Sequence, residues 1–145
     1  MPPAVKFSNP PVVEVACSVL FKTLPSFRAA HVGLFWQGIR EAFPRLEEAP
    51  PIPPILEGAP NLQPQVQFEL AHIPPMRRSW LLNNDGSNLI QIQQDRFIFN
   101  WKKVGDADRY PSYSVVIKEF EKHLSEFQTF SSYSGGSWWI SLSSI

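Results

Sequence analysis

Three histidines, His31, His72 and His123, are the side chains best suited to acid–base or metal chemistry near neutral pH. No two of them stand at the short spacing that metal ligands share, and the single cysteine, Cys17, forms no cluster with them. His31 and His123 fall beside apolar stripes of helical spacing, where a packing or surface role is expected. The sequence therefore predicts no metal site.

The acidic residues have structural explanations. Asp85 belongs to a hairpin turn, and Asp106 and Asp108 precede a predicted helix, where negative charge favours the helix start. Glu47 and Glu48 adjoin a proline-rich segment, where we expect both side chains to be solvated. None of these carboxylates is predicted to act in catalysis or to hold a cation.

Catalytic motifs are equally weak. The chain has no glycine-rich phosphate loop and no nucleophile elbow around any of its serines. An enzyme would need a concave pocket that gathers His72, Asp95, Arg96 and Tyr110, and their spacing does not require one. We therefore expect a non-catalytic protein that needs no cofactor, and we keep an enzyme as the third-ranked alternative.

Phe97, Phe99 and Trp101 alternate along one predicted strand and allow two interpretations. Alternating aromatic residues stack on bases in sheet proteins that bind single-stranded nucleic acid. They also form core faces, which we favour here because both predicted helices carry apolar stripes that need a partner. The basic residues available to nucleic acid on the same strands are Arg77, Arg78, Lys102 and Lys103.

The other face of the predicted sheet is rich in amides. If no helix covers this face, it offers donors and acceptors to a protein partner without the desolvation cost of a charge. The candidate partner-binding residues on it are Gln67, Glu69, Gln91, Gln93, Arg96, Ile98 and Asn100. We expect this face to be open to water.

Composition indicates one globular domain. The chain has 145 residues, 43% of them hydrophobic, which suits an independent core. Lys plus Arg and Asp plus Glu each number 13, so the net charge is zero. That balance disfavours a nucleic-acid partner and favours a protein partner or self-association. We see no signal peptide and no membrane span, and so expect a cytoplasmic protein without membrane contact.

The N-terminal half predicts a strand, a helix and a crossover. Val13, Val15, Cys17 and Val19 alternate in a strand over about residues 12–21, where Cys17 is expected to be a buried, inert thiol. A helix should follow from a cap at residue 26 to residue 43, just before a proline. Residues 44–64 hold seven prolines and predict a surface crossover, with a docking ligand for aromatic grooves as the alternative.

Four short strands are predicted next, at about residues 65–73, 77–84, 88–94 and 97–101. Asp85-Gly86 marks a hairpin between the second and third of them. The apolar positions then change from even, at Ile92, to odd, at Phe97. A bulge could absorb the extra residue, but we favour a tight hairpin at Gln94-Asp95.

The C-terminal part predicts a second helix over residues 106–130 and a short tail over residues 131–145. The tail is rich in serine and tryptophan, and no charged residue occurs between Phe127 and Ile145. Trp138 and Trp139 are candidate partner-binding residues in one further short strand. An uncharged, β-prone end favours association unless it pairs with something.

The predicted order is β-α-β-β-β-β-α. Such an order indicates an α+β two-layer sandwich, in which an antiparallel meander sheet carries both helices on one face. We expect a single domain over residues 1–130, with the proline-rich crossover at residues 44–64 inside it. The arrangement resembles TATA-binding-protein-like and helix-grip folds, a similarity of shape that carries little functional information.

Three segments, NPPVVEV, RRSWLLNNDGSNLIQIQQDRFIFNWKKVG and RYPSY, resemble a sporadically distributed family of uncharacterised, mostly bacterial proteins. The resemblance covers about residues 7–130, and LIQIQQDRFIFNW followed by YPSY is its most specific part. Family members continue into a further strand-rich half, so this chain looks like their N-terminal half. The resemblance implies no known activity. Its patchy distribution is common among genes of mobile elements, which implies a link to phage–host conflict by association alone.

These patterns support two functional hypotheses. The leading one is a non-catalytic protein-binding module whose amide-rich sheet face or uncharged C-terminal end binds another protein, or a second copy of the chain. The alternative is a nucleic-acid-binding protein that uses the basic residues of the sheet.

Overall fold

The computed structural model describes residues 11–22, 27–53 and 76–133. Within these ranges five antiparallel strands form one sheet in the order β1-β5-β4-β3-β2. The strands are β1 Glu14–Leu20, β2 Arg45–Ala49, β3 Arg78–Leu82, β4 Asn88–Gln93 and β5 Arg96–Lys102, and the helices are α1 Ala29–Ile39 and α2 Tyr113–Tyr133. The predicted α+β class is confirmed, with β2 to β5 forming a meander and β1 beside β5.

The aromatic strand β5 points into the core. Phe97, Phe99 and Trp101 are only 0%, 1% and 8% exposed. Phe97 contacts Phe120 and Phe127 of α2, at ring centroid distances of 6.3 and 5.4 Å. The prediction that these rings face the helices is confirmed, and their use as a base-stacking surface is excluded because the helical layer covers them.

The two hairpins follow the sequence signals. Gln94 and Asp95 form a two-residue turn that places Gln93 opposite Arg96, which accounts for the change from even to odd apolar positions. In the other hairpin, Gly86 has a φ of 78°, a left-handed conformation that glycine adopts at little cost. Asp85 Oδ1 accepts hydrogen bonds there from the backbone N–H and the hydroxyl of Ser87.

Strand β2 corrects the prediction of a crossover over residues 44–64. It pairs with β3 through its backbone, with Leu46 opposite Leu81 and Glu48 opposite Ser79. Its sequence, RLEEA, is short and mostly charged, as is common for an edge strand, so it carries no hydrophobic alternation. The strand predicted at residues 65–73, with Gln67 and Glu69, lies outside the described residues.

Both helices differ from their predicted bounds. Helix α1 ends at Ile39 rather than at residue 43, because the N–H groups of Ala42 and Phe43 both donate to the Ile39 carbonyl in a closing turn. Helix α2 begins at Tyr113, after Ser112, whose carbonyl accepts from the Val116 N–H. It continues to Tyr133, so the first residues of the predicted tail are helical. Residue 26, the predicted cap of α1, lies outside the described residues.

The sequence placed Asp108 at the start of α2, but its carboxylate does not bond to the first turn of that helix. Its Oδ2 accepts from the backbone N–H groups of Val104 and Gly105 at 3.0 and 2.9 Å and closes the turn after β5. Neither α1 nor α2 is long and apolar enough to cross a membrane.

Candidate functional site

A chain of side-chain hydrogen bonds crosses four strands on the sheet face that points away from the helices. Trp80 Nε1 donates to Gln91 Oε1 at 3.2 Å, and Gln91 Nε2 donates to Asn100 Oδ1 at 2.7 Å. Asn100 Nδ2 then donates to Glu14 Oε1 at 3.1 Å. We call these four residues, Trp80, Gln91, Asn100 and Glu14, the polar ladder.

The polar ladder overturns the expectation that this sheet face is open to water. Gln91 and Asn100 are 8% and 6% exposed, Gln93 and Arg96 are similarly buried, and Ile98 is half-buried. Amide side chains tolerate such burial because each satisfies the hydrogen-bonding groups of the next. These side chains are mostly buried within the fold and expose little surface to a partner. Their partner-binding role stays a prediction.

Gln93 joins the sheet to the start of the proline-rich segment. Its Oε1 accepts from the Ile52 N–H and its Nε2 donates to the Ile52 carbonyl, both at 2.8 Å. The side-chain amide thereby forms with Ile52 the two hydrogen bonds that the backbone of a neighbouring strand would form. Arg96 Nη2 adds a bond to the Pro53 carbonyl at 3.2 Å.

Arg96 is neutralised by the residue before it. Its Nε and Nη2 donate to Oδ1 and Oδ2 of Asp95, both at 3.0 Å, and the two side chains are 7% and 15% exposed. Such a bidentate pair uses the fork of the guanidinium in full. Gln93 Nε2 also donates to Asp95 Oδ1, at 3.2 Å.

Arg78, on β3, has no such carboxylate partner among the described residues. Its guanidinium lies 5.6 Å from the centre of the Trp80 ring, and its buried Nε has no hydrogen-bond partner in the part of the chain that the structure describes. Burial, and secondarily the charge of Arg96, lowers the pKa of Arg78. The arginine therefore occupies an electropositive position on the same face as Arg96.

The four basic residues proposed for nucleic acid do not form one patch. Ile92 pairs with both Ser79 and Phe97, so Arg78 lies level with Arg96 at one end of the sheet. Lys102 stands six residues further along β5, about 20 Å away at 3.3 Å per residue. The remaining two are Arg77, which forms an ion pair with Glu48 at 3.2 Å, and Lys103, beside Lys102.

The residues that an enzyme would have to gather are also separated. Asp95 and Arg96 satisfy each other at one end of β5. Tyr110 packs against Trp101 at the opposite end of β5, with ring centroids 5.4 Å apart. His72 lies outside the described residues.

The helical layer contains an open groove between α1, with the turn that follows it, and α2. Its volume is about 1120 Å³. Apolar lining residues include Leu34, Phe35, Ile39, Phe43 and Phe130. Leu34 is 62% exposed and lies on the solvent side of α1, beside the exposed residues Gln37 and Gly38. We call this feature the interhelical groove.

One end of the interhelical groove is closed by aromatic contacts between the helices. Phe35 of α1 packs against Phe127 and Phe130 of α2, at ring centroid distances of 5.4 and 5.7 Å. Trp36 Nε1 donates to the Phe43 carbonyl at 2.7 Å and fixes the turn after α1. These contacts hold the helices in place while leaving the groove beside them open.

His123 forms part of the groove wall as a packed side chain. Its ring is buried, lies edge-on to Phe43 at 5.0 Å and stands 5.6 Å from the Phe99 ring. Each ring nitrogen is 3.4 Å from a carboxylate, Nε2 from Glu119 and Nδ1 from Glu126. Among the described residues, no group of three or more His, Cys, Asp and Glu side chains could hold a metal ion.

The rim of the interhelical groove carries balanced charge. Its charged lining residues are Arg40, Glu41, Lys122 and Glu126. Arg40 also lies over the Trp36 ring, 5.2 Å from its centre. The rim can therefore flank an apolar ligand without selecting strongly for either sign of charge.

The sequence identified Leu34 and Phe35 as apolar helix positions, but it was not used to predict a groove between the helices. The signal available was the width of the apolar face of α1, which exceeds what one neighbouring element can cover. Trp138 and Trp139, also predicted to bind a partner, lie outside the described residues.

Comparison with known protein families, with curated proteins and with solved structures finds no match to this chain.

Proposed function

We propose that this protein is a non-catalytic protein-binding module and that the interhelical groove is its binding surface. The observation that carries the proposal is the exposure of Leu34, at 62%, above an apolar groove of about 1120 Å³. Complete burial of an exposed leucine side chain stabilises by about 1.5–3 kcal/mol, so covering the exposed part of Leu34 contributes a fraction of this to the binding of a matching apolar surface. The amide-rich sheet face offers less, because its polar groups already bond to each other.

The shape of the groove favours an amphipathic helix as the ligand. Along α2 the groove extends from Lys122 to Phe130, which is about 12 Å at 1.5 Å per residue. That length accommodates about two turns of a third helix, with apolar residues at positions i, i+4 and i+7. Such a helix would complete the helical layer in the way that α1 and α2 already cover the sheet.

The charge of the rim further defines the partner. Arg40 and Glu41 flank one side of the groove, and Lys122 and Glu126 flank the other, so the four charges cancel. A partner helix with balanced charges beside its apolar stripe fits this rim better than a strongly basic or acidic one. Nucleic acid fits less well, because its binding depends on an excess of positive charge.

A designed peptide tests the proposal directly. The peptide is a fluorescein-labelled helix of zero net charge with leucines at i, i+4 and i+7, and a scrambled peptide of the same composition is its control. Fluorescence anisotropy measures binding to the natural chain and to its Leu34→Asp variant. We expect the ordered peptide to bind the natural chain at least about tenfold more tightly than it binds the variant, a difference of about 1.4 kcal/mol.

Val104→Asp is the matched control. Val104 is 50% exposed and does not line the groove, so the same charge placed there should leave peptide binding unchanged. Equal affinity for the ordered and scrambled peptides, or an undiminished affinity of the Leu34→Asp variant, would refute the proposed site. Circular dichroism of each variant verifies that it remains folded.

A further inference from the structure

Helix α2 ends beside the interhelical groove. Thr129 and Phe130 line the groove, and α2 ends at Tyr133, about 4.5 Å beyond Phe130 at 1.5 Å per residue. This is also the end of the groove at which Phe35 of α1 packs against Phe130, with ring centroids 5.7 Å apart. The chain that follows α2 therefore starts within one helical turn of the groove.

The residues that follow α2 have the composition of an apolar ligand. Residues 134–145, which we call the C-terminal segment, lie outside the described residues and have the sequence SGGSWWISLSSI. The segment has no charged side chain, so its side chains can be covered without the cost of desolvating a charge. Tryptophan is also among the residue types most enriched at the energetic centres of protein interfaces. The large apolar side chains, all within five consecutive residues, are Trp138, Trp139, Ile140 and Leu142.

The C-terminal segment is long enough to lie along the groove. Gly135-Gly136 comes directly after the end of α2, and a glycine pair favours a turn because glycine adopts positive and negative φ values about equally well. A turn there would direct the chain back along α2. The five residues 138–142 then span at most about 17 Å. The groove extends about 12 Å along α2, from Phe130 to Lys122, so these residues can cover its whole length.

We propose that the C-terminal segment occupies the interhelical groove of its own chain, where Trp138 and Trp139 cover Leu34, and that it competes there with the partner helix. This competition rests on the function proposed above, in which the groove is the binding surface. A short tether holds the segment at an effective concentration in the millimolar range, which favours its own groove over that of a second copy in dilute solution. Exchange of the segment between two copies would follow at high concentration.

The rim of the groove allows the C-terminal segment to be displaced. An uncharged segment forms no ion pair with the charged rim residues, which include Arg40 and Glu126. A partner helix whose charges complement the rim gains these interactions in addition to the apolar contacts. The segment therefore regulates access to the groove without blocking it permanently.

The amide signal of Gly38 in a two-dimensional NMR spectrum of the full chain tests this contact without any partner. Gly38 lines the groove, whereas Gly86, in the β3–β4 hairpin, does not. We expect Trp138→Ser combined with Trp139→Ser to shift the Gly38 signal, because indole rings alter the magnetic field at nearby protons, and to leave the Gly86 signal in place. Ser143→Ala combined with Ser144→Ala is the matched control and should shift neither signal.

Two results of the NMR experiment would overturn the proposal. One is a Gly38 signal that is the same in the natural chain and in the double tryptophan variant. The other is a difference that disappears on tenfold dilution, because the segment in the groove would then belong to a second copy. Circular dichroism verifies that both double variants remain folded.

The designed peptide measures the competition itself. A segment that fills the groove about two-thirds of the time lowers the apparent affinity for a competitor about threefold. The double tryptophan variant should therefore bind the peptide about threefold more tightly than the natural chain does, and the double serine variant should bind it like the natural chain. Equal affinities of all three chains would overturn the competition while leaving the groove as a binding surface. Absence of peptide binding by every chain would count against the function proposed above, and the Gly38 signal would then decide on the C-terminal segment alone.

Discussion

The side-chain amide of Gln93 hydrogen-bonds both backbone polar groups of Ile52, each at 2.8 Å. Ile52 lies between Pro51 and Pro53, which have no N–H to donate. The Ile52 N–H is therefore the backbone donor through which this short stretch can pair with the sheet, and a glutamine 41 residues away provides the acceptor. One side chain thus fixes the path of the chain as it leaves β2.

Gln93→Glu should destabilise the fold. The substitution keeps the size of the side chain but removes the donor to the Ile52 carbonyl and places a negative charge beside that oxygen and beside Asp95. We expect a loss of about 1–3 kcal/mol in the free energy of unfolding, measured by urea denaturation at pH 7. Gln37→Glu, at an exposed position of α1, is the control and should change stability by less than about 0.5 kcal/mol.

The polar ladder should behave as a coupled unit. Gln91→Ala and Asn100→Ala each leave the other amide buried without its partner, and each should lower stability by about 1–3 kcal/mol. Because both lose the same 2.7 Å bond, the double variant should lose less than the sum. A double-mutant cycle in urea should give a coupling of about 0.5–3 kcal/mol, and strictly additive losses would contradict a functioning ladder.

Cys17 should react slowly in the folded protein. Burial raises the pKa of its thiol, so the reactive thiolate is scarce at neutral pH. The folded state also holds this proton at a pH where the unfolded state releases it. The thiol therefore contributes stability below its ordinary pKa of about 8.5, and this contribution is lost as the pH rises through the folded pKa.

Two measurements examine the thiol. Labelling with a disulfide reagent at pH 7 should be slow for the native chain and fast in urea. The natural chain should also lose more stability between pH 7 and pH 10 than its Cys17→Ala variant, which has no thiol to titrate. Rapid native labelling would show that the thiol is accessible, contrary to its burial against Phe99.

Self-association through the C-terminal end remains a prediction from the sequence. The segment after Phe127 carries no charged residue and contains Trp138 and Trp139. We expect light scattering to detect dimers or larger species of the natural chain at high concentration, and Trp138→Ser combined with Trp139→Ser to shift the equilibrium toward monomers. A strictly monomeric natural chain would remove this part of the hypothesis.

Leu34→Asp distinguishes two routes of association. If the C-terminal segment of one copy enters the interhelical groove of another, this substitution should weaken association as strongly as the tryptophan substitutions do. If the substitution weakens binding of the designed peptide but leaves self-association unchanged, the C-terminal segment binds elsewhere on the other copy. The interhelical groove would then bind a different protein.

Local patterns were sufficient for much of the fold. The change of apolar phase between Ile92 and Phe97 predicted the two-residue turn at Gln94-Asp95, because side chains alternate strictly along a strand and only an insertion or a reversal can change that phase. The alternation of Phe97, Phe99 and Trp101, together with apolar stripes on both helices, predicted which face is buried. In each case the signal was the type and spacing of residues within individual segments.

Strand β2 is an element that such local patterns did not predict. Its residues, RLEEA, are paired with β3 by backbone groups that every sequence possesses, and its exposed position requires no apolar alternation. Only the presence of β3 at the correct distance makes the segment a strand. A single sequence does not encode that distance locally.

The sequence by itself determined the class of fold, the inward direction of the aromatic strand and the absence of any recognisable catalytic motif, because these depend on periodicity and residue type. The tertiary structure decided which polar groups meet. It joined Gln91 to Asn100, Gln93 to Ile52 and Asp95 to Arg96, left Arg78 without a carboxylate among the described residues, and opened a groove beside Leu34. Hydrogen bonding and burial depend on neighbours that are distant in sequence, so these features follow from the packing of the elements and not from any one of them.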